Sequence, residues 1–267
     1  MTSETSAAPA ALVERRGNVL VITLNRPEAR NAVNGAVSTA VGDALQQAQA
    51  EPEVWAVVLT GAGDKSFCAG VDLKALARGE NVLHPDHPEW GFAGYVRHFV
   101  DKPTIAAVNG SALGGGTELA LASDLVVANE SATFGLPEVK RGLIAAGGGV
   151  FRIADQLAPK VAMELLFTGE PITAAKAKGW GLINGVVPDG TVLDAALALA
   201  ERITVNAPLA VQASKRVAYG VDDGVVTDEQ LKWQRMLREV TRLMKSEDAR
   251  EGPAAFAEKR NPVWKAR

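Results

Sequence analysis

Glu118 and Glu138 are the side chains best suited to moving protons. Glu118 follows the glycines of Asn109-Gly-Ser-Ala-Leu-Gly-Gly-Gly-Thr-Glu-Leu119, in the first turn of a predicted helix. Leu119, Ala120, Leu121 and Ala122 come next, so this helix is apolar on more than one side and is expected to be buried. A buried carboxyl keeps its proton to higher pH than an exposed one and can trade it near neutrality. The plainer role for an acid in a first turn is to cap the backbone or complement the helix dipole. Glu138 ends the segment Phe134-Gly-Leu-Pro-Glu138. A helix, a strand and a turn lie between the two acids, a path that can bring the second back beside the first.

Two glycine-containing segments, Phe67-Cys-Ala-Gly-Val-Asp-Leu-Lys74 and Asn109 to Leu119, each follow a predicted strand and precede a predicted helix. That junction leaves backbone N–H groups without intrahelical acceptors, at the positive end of the helix dipole. It suits an anion, or a carbonyl oxygen that becomes one during reaction. Glycine lets the ligand come close because no Cβ intervenes. Other glycine motifs fail: no Gly-Lys-Ser or Gly-Lys-Thr follows, as a phosphate-binding P-loop requires. The dinucleotide spacing G-x-G-x-x-G meets Leu119 when counted from Gly114 and Arg152 when counted from Gly147. The structural alternative for such glycines is close helix–strand packing.

The elements that must position these groups are legible as an alternation. A small, polar stretch over residues 1–10 is expected to be disordered. Val19 to Leu24 and Val54 to Thr60 are predicted strands, with an amphipathic helix from Asn34 to Ala50 between them. Thr104 to Val108 and Leu125 to Ala128 are further strands, separated by the helix over Thr117 to Ser123. Such alternation predicts an α/β fold with largely parallel pairing. After about Pro159 strand signals fade, and helices are predicted over Leu193 to Val205, Pro208 to Tyr219 and Glu229 to Lys245. The organisation read from this is an α/β core over residues 11–200 and a helical region over 201–267.

Composition excludes several classes. The 267 residues are 47% hydrophobic with a net charge of −3, which gives no field for nucleic acid and no basic patch for a membrane surface. One cysteine, Cys68, allows no internal disulfide and fits a reducing compartment. The N-terminus lacks the basic start and apolar run of a signal peptide, so a cytoplasmic location is expected. His84, His87 and His98 fit no standard zinc spacing, and no metal site is expected. Ser111 lies outside a G-x-S-x-G elbow, which removes a serine hydrolase reading.

Taken together, the segments resemble the crotonase (enoyl-CoA hydratase/isomerase) superfamily from about residue 11 to the C-terminus. The likeness is carried by Ile22-Thr-Leu-Asn-Arg-Pro-Glu-Ala-Arg-Asn31, by residues 69–74, 109–118 and 134–138, and by Phe167 to Asn184 and Ala255-Phe-Ala-Glu-Lys-Arg260. The resemblance implies a spiral of β-β-α units, a helical trimerisation region, and a homotrimer or homohexamer. It implies that the N–H groups of Val71 and Gly115 form an oxyanion hole. It further implies coenzyme A contacts at Ala29, Asp72, Leu73 and Lys74, with Phe256 and Lys259 reaching the coenzyme of a neighbouring subunit. The substrate implied is an acyl-CoA, the coenzyme being part of it, and no separate cofactor is expected.

Members of the superfamily share the oxyanion hole and differ in their acids and bases, so the fold alone does not fix the reaction. Hydratases resemble this chain in carrying glutamates at both matching positions. That implies enoyl-CoA hydration, with Glu118 as the water-side base and Glu138 as the acid at the α-carbon. Double-bond isomerisation and an idle acyl-CoA-binding protein are the rival readings. The stretch Leu143-Ile-Ala-Ala-Gly-Gly-Gly-Val-Phe-Arg152 departs from the hydratase pattern, and the tail from Ser246 resembles that of carnitinyl-CoA dehydratases. Such a substrate carries a quaternary ammonium, for which Trp90, Phe92 or Tyr95 can supply a cage; packing over the acyl chain is the simpler role for these rings.

Overall fold

The computed structural model describes residues 8–267. Two sheets carry the chain. The larger is formed by β1 (Ala11–Arg16), β2 (Val19–Leu24), β3 (Ala56–Gly61), β5 (Thr104–Val108), β7 (Leu125–Asn129) and β10 (Gly185–Val187), in that spatial order. The smaller is formed by β4 (Ser66–Cys68), β6 (Ser111–Leu113), β8 (Thr133–Gly135) and β9 (Ile172–Thr173). Only the β1–β2 and β8–β9 pairings in these sheets are antiparallel.

Residues buried on both faces explain the long apolar runs of β2, β3 and β5, as expected for parallel strands covered on two sides. Helix α1 (Gly35–Ala50) covers one face with Val37, Val41 and Leu45. It starts where the Asn34 side chain accepts from the Val37 N–H at 3.1 Å. Helix α7 (Val192–Thr204) covers the other, packing Val192, Ala196 and Ala200 on Val21, Val58 and Ile105. The edge strand β1 keeps Glu14, Arg15 and Arg16 in solvent, charges that discourage edge-to-edge pairing.

The arrangement is a β-β-α spiral. The pair β3–β4 leads into α2 (Leu73–Ala77), β5–β6 into α3 (Gly115–Ala122), and β7–β8 into the 3-10 turn Pro137–Arg141. In each pair the first strand joins the large sheet and the second the small one. Register stacks Cys68 on Ala112, and Leu113 on Gly135. The residues just beyond these strand ends are Val71, Gly115 and Glu138, so the repeat itself brings three separated motifs to one edge.

Helices α4 (Gly149–Gln156), α5 (Pro159–Thr168) and α6 (Ala174–Gly179) follow, and α8 (Pro208–Ala218), α9 (Thr227–Leu243) and α10 (Asp248–Ala257) complete the chain. The fading of strands after Pro159 is corrected: β9, β10 and the hairpin of β11 (Val221–Asp222) with β12 (Val225–Val226) all lie beyond it. Each is two or three residues long, too short for alternation to register. Of the stretch 1–10, residues 1–7 lie outside the described residues, while Asn25 is hydrogen-bonded to Pro9 and Ala10. No helix among the described residues is long and apolar enough to cross a membrane.

Candidate active site

The segment 68–72 is fixed by the loop that precedes α1. Asn31 stands in the left-handed region (φ 56°), which asparagine tolerates, and is 1% exposed. Its side-chain N–H groups donate to the carbonyls of Ala62 (3.0 Å) and Ser66 (2.8 Å), and its oxygen accepts from Arg26 N–H (3.0 Å). Val33 N–H donates to Gly70 O and Asp72 N–H to Val33 O, both at 2.8 Å. Alternate peptide groups of an extended segment face opposite ways, so the Val71 N–H turns away from Val33.

Gly70 (φ +88°) has a backbone that side chains rarely adopt, and a Cβ there would lie only 3.1 Å from the Gly115 nitrogen. The loop after β4 and the start of α3 are therefore in contact. Gly115 opens α3, where its N–H has no intrahelical acceptor. Among the described residues, neither the Val71 nor the Gly115 N–H donates to a loop, turn or cap acceptor. The ring of Phe92 presses on the Gly115 Cα from the outside, in the space a side chain would need.

Glu118 is 4% exposed. Its Oε1 accepts from the Gly149 N–H at 2.9 Å, and the Gly147 N–H also supports the carboxylate. Burial pushes its carboxyl up to about 7, against the pull of those two N–H groups and of Arg152. Glu138 sits on the turn after β8, which is pinned to α3. The Thr117 hydroxyl donates to Ala112 O (2.7 Å) and accepts from Gly135 N–H (2.9 Å), and Gly114 N–H donates to Gly135 O (2.9 Å). A Cβ on Gly114 would lie 3.0 Å from Glu138 Oε1, which puts that carboxyl beside the residue preceding Gly115. Burial first, and the charge of Glu118 second, push Glu138 up to about 7. Its Oε2 is buried with no hydrogen-bond partner among the described residues. Glu138 thus lies beside the start of α3, and the charge of Glu118 reaches it.

The remaining motif residues are spread around this centre. Asp72 uses its carboxylate locally: it caps α2 through the N–H groups of Lys74 (3.0 Å) and Ala75 (3.1 Å) and pairs with Arg26 at 2.9 Å. Burial opposes ionisation there, but the Ala75 N–H and Arg26 hold the carboxyl below its ordinary value. Leu73 and Lys74 open α2, with Leu73 half exposed, and Ala29 ends the turn Pro27–Ala29. Phe256 and Lys259 stand apart from them. Phe256 lies on α10, its ring 3.9 Å from the Arg141 guanidinium of the same chain, and Lys259 follows that helix. Helix α10 packs on the Glu138 turn through Gly252 against the Arg141 backbone and Gly142 against Asp248 O.

Of the three candidate cage rings, Phe92 alone borders Gly115. Trp90 is stacked between His87 (4.0 Å) and His98 (3.9 Å), and Tyr95 bonds Ser123 at 2.8 Å. Burial drives His98 down to about 4, and His84 is buried with Nε2 3.2 Å from Asp43. No group of metal-binding side chains occurs among the described residues. Burial pushes the Cys68 thiol up to about 12, which leaves it unreactive. Sequence reasoning missed the holders of Glu118: Gly147 and Gly149 stood out only as a departure in pattern.

Residues 14–267 match the family described as enoyl-CoA hydratase/isomerase, and the chain belongs to it. Among solved structures it resembles a carnitinyl-CoA hydratase from Mycobacterium avium, with 76% identity and a TM-score of 0.97 over 98% of this chain and 100% of that one. It also resembles an enoyl-CoA hydratase from Mycobacterium tuberculosis, with 47% identity and a TM-score of 0.76 over 97% of this chain and 100% of that one. A curated carnitinyl-CoA dehydratase from Salmonella paratyphi A is 44% identical over 256 residues, 95% of this chain and 97% of the relative.

Proposed function

We propose that the protein is a hydro-lyase that reversibly adds water to a trans-2-enoyl-CoA thioester, giving the 3-hydroxyacyl-CoA. The Val71 and Gly115 N–H groups polarise the thioester carbonyl and hold the enolate that forms, a donor of this kind being worth about 2.7–4 kcal/mol. Glu118 takes a proton from the water that attacks the β-carbon, and Glu138 delivers one to the α-carbon. The observation that carries this reading is the pair of buried carboxyls, both pushed to about 7, the charge of one acting on the other, with Glu138 against the residue that precedes the unpartnered Gly115 N–H. A single-base isomerase has no need of the second, and an idle binding protein has no use for either at their desolvation cost. In the test, the conjugated enoyl absorbance of crotonyl-CoA disappears on adding the protein and 3-hydroxybutyryl-CoA accumulates. Unchanged absorbance, with conversion of a 3-enoyl-CoA to the conjugated isomer, overturns it.

A second reading places the same chemistry on an acyl chain bearing trimethylammonium, as the names of the carnitinyl-CoA relatives suggest. Phe92 is then the ring available to the cation, short of a full cage. Comparing kcat/KM for crotonobetainyl-CoA and crotonyl-CoA decides: preference for the former supports this reading, and equal or better use of the latter removes it. We place the coenzyme along Ala29 and Asp72 to Lys74. The exposed Phe167, Val205, Leu209 and Val217 support burial between copies in a trimer or hexamer, with 201–267 at that interface.

A further inference from the structure

The turn Gly147-Gly148-Gly149 is gripped from both sides. On one side stands Glu118: a Cβ on Gly147 would lie 2.5 Å from Oε2, and one on Gly149 would lie 2.9 Å from Oε1. On the other, a Cβ on Gly148 would lie 3.0 Å from Arg152 Nη1 and 3.0 Å from the Trp233 ring edge. Both backing groups are themselves locked. Arg152 donates to Glu229 through Nε (2.9 Å) and Nη2 (2.7 Å), and to Val96 O at 2.7 Å. Its Nη1 is buried with no hydrogen-bond partner among the described residues. Trp233 donates to Glu229 Oε2 at 3.1 Å, meets Phe151 edge-on at 5.0 Å, and has the Arg97 guanidinium 4.9 Å from its ring centre. Three consecutive glycines have no side chains to hold their shape, so what stands behind the turn decides where its N–H groups point.

We propose that Trp233 and the Arg152–Glu229 pair are positioning residues for Glu118, acting from α9 and α4 through the 147–149 turn. This rests on the reading of Glu118 as the water-side base. The helical C-terminal region then takes part in the reaction indirectly: α9 sets the donors that aim the carboxylate. It also sets the nearby charge. The charged or titratable groups facing Glu118 are Glu138 on its turn, Cys68 on β4 and Arg152 on α4, with Glu229 beyond Arg152.

The test measures kcat and KM for enoyl-CoA hydration across pH in Trp233→Leu, Trp233→Phe, Glu229→Gln and Arg152→Met. Lys232→Ala, which breaks a surface pair with Asp155, is the control. Trp233→Leu should lower kcat by up to about 100-fold with KM nearly unchanged, as a misplaced catalytic group does, and Trp233→Phe should recover most of it. Glu229→Gln leaves the arginine charge uncompensated, so the acidic limb of kcat moves to lower pH. Arg152→Met removes that charge, so the limb moves to higher pH. Glu229→Gln preserves shape and keeps the test open if a larger change prevents folding. Unshifted limbs in both charge variants, or a kcat in folded Trp233→Leu equal to that of Lys232→Ala, overturn the proposal. Near-normal turnover in Glu118→Gln instead overturns the function reading on which it rests.

Discussion

Glu118 and Glu138 are both buried, and burial is the main cause of carboxyls near 7 in each, yet they are held differently. Glu118 is gripped by N–H donors from Gly149 and Gly147 with Arg152 behind them, all of which favour its charged form. Glu138 has an oxygen with no partner, and the charge of Glu118 presses it toward the protonated form. The contrast teaches why two like residues can do opposite jobs. On the proposed reading, the held carboxylate ionises first and receives a proton from water, while the loosely held one keeps its proton for the α-carbon. The pair titrates as a unit, and any measured values belong to both.

Breaking either partner should have the largest effect. Glu118→Gln and Glu138→Gln should each lower kcat by roughly 10²–10⁴-fold while acyl-CoA binding persists. Steady-state kinetics with a separate binding titration checks this, and near-normal turnover in either removes the two-acid account. Disturbing the grip without touching the acids comes next. Gly147→Ala would drive a methyl group against Glu118 and should lower kcat by about 100-fold, the scale of a misplaced catalytic group. Gly179→Ala, with open space around it, should leave kcat unchanged. Equal effects from both would mean that the grip does not matter.

The smallest effect is on stability. A carboxyl whose folded-state value is raised binds its proton more tightly folded than unfolded. Its contribution is fully present below the unfolded value near 4.5 and is lost as pH rises through about 7. Glu138→Gln should therefore be more stable than the parent at pH 8 but not at pH 4, by about 3 kcal/mol at most, and its Tm should rise accordingly. Parallel Tm curves across pH would show that burial does not strain this carboxyl.

Strands β2, β3, β5 and β7 and helix α1 were legible because each is a continuous apolar run or a helical stripe bounded by a proline, glycine or cap, whereas the exposed edge strand β1 and the three-residue β10 were not. Glu118, Glu138, Val71 and Gly115 were legible as motifs, and their convergence follows from stacking β4, β6 and β8. The strands that do the stacking were not legible, because three residues hold no period. Nor was the back of the site: Trp233 lies 115 positions beyond Glu118, and a long-range contact leaves no trace in local spacing. The tail from Ser246 suggested a specialised acyl group. The rings proposed to receive it proved divided, with Trp90 in a stack with histidines and Phe92 at the site.

The most direct test of the central claim is a carbon-13 NMR titration of the glutamate side-chain carboxyls in the folded protein, assigned with Glu118→Gln and Glu138→Gln. The account predicts two signals that titrate near pH 7, with the midpoint of Glu138 lowered in Glu118→Gln. Two independent midpoints near 4.5 would contradict it.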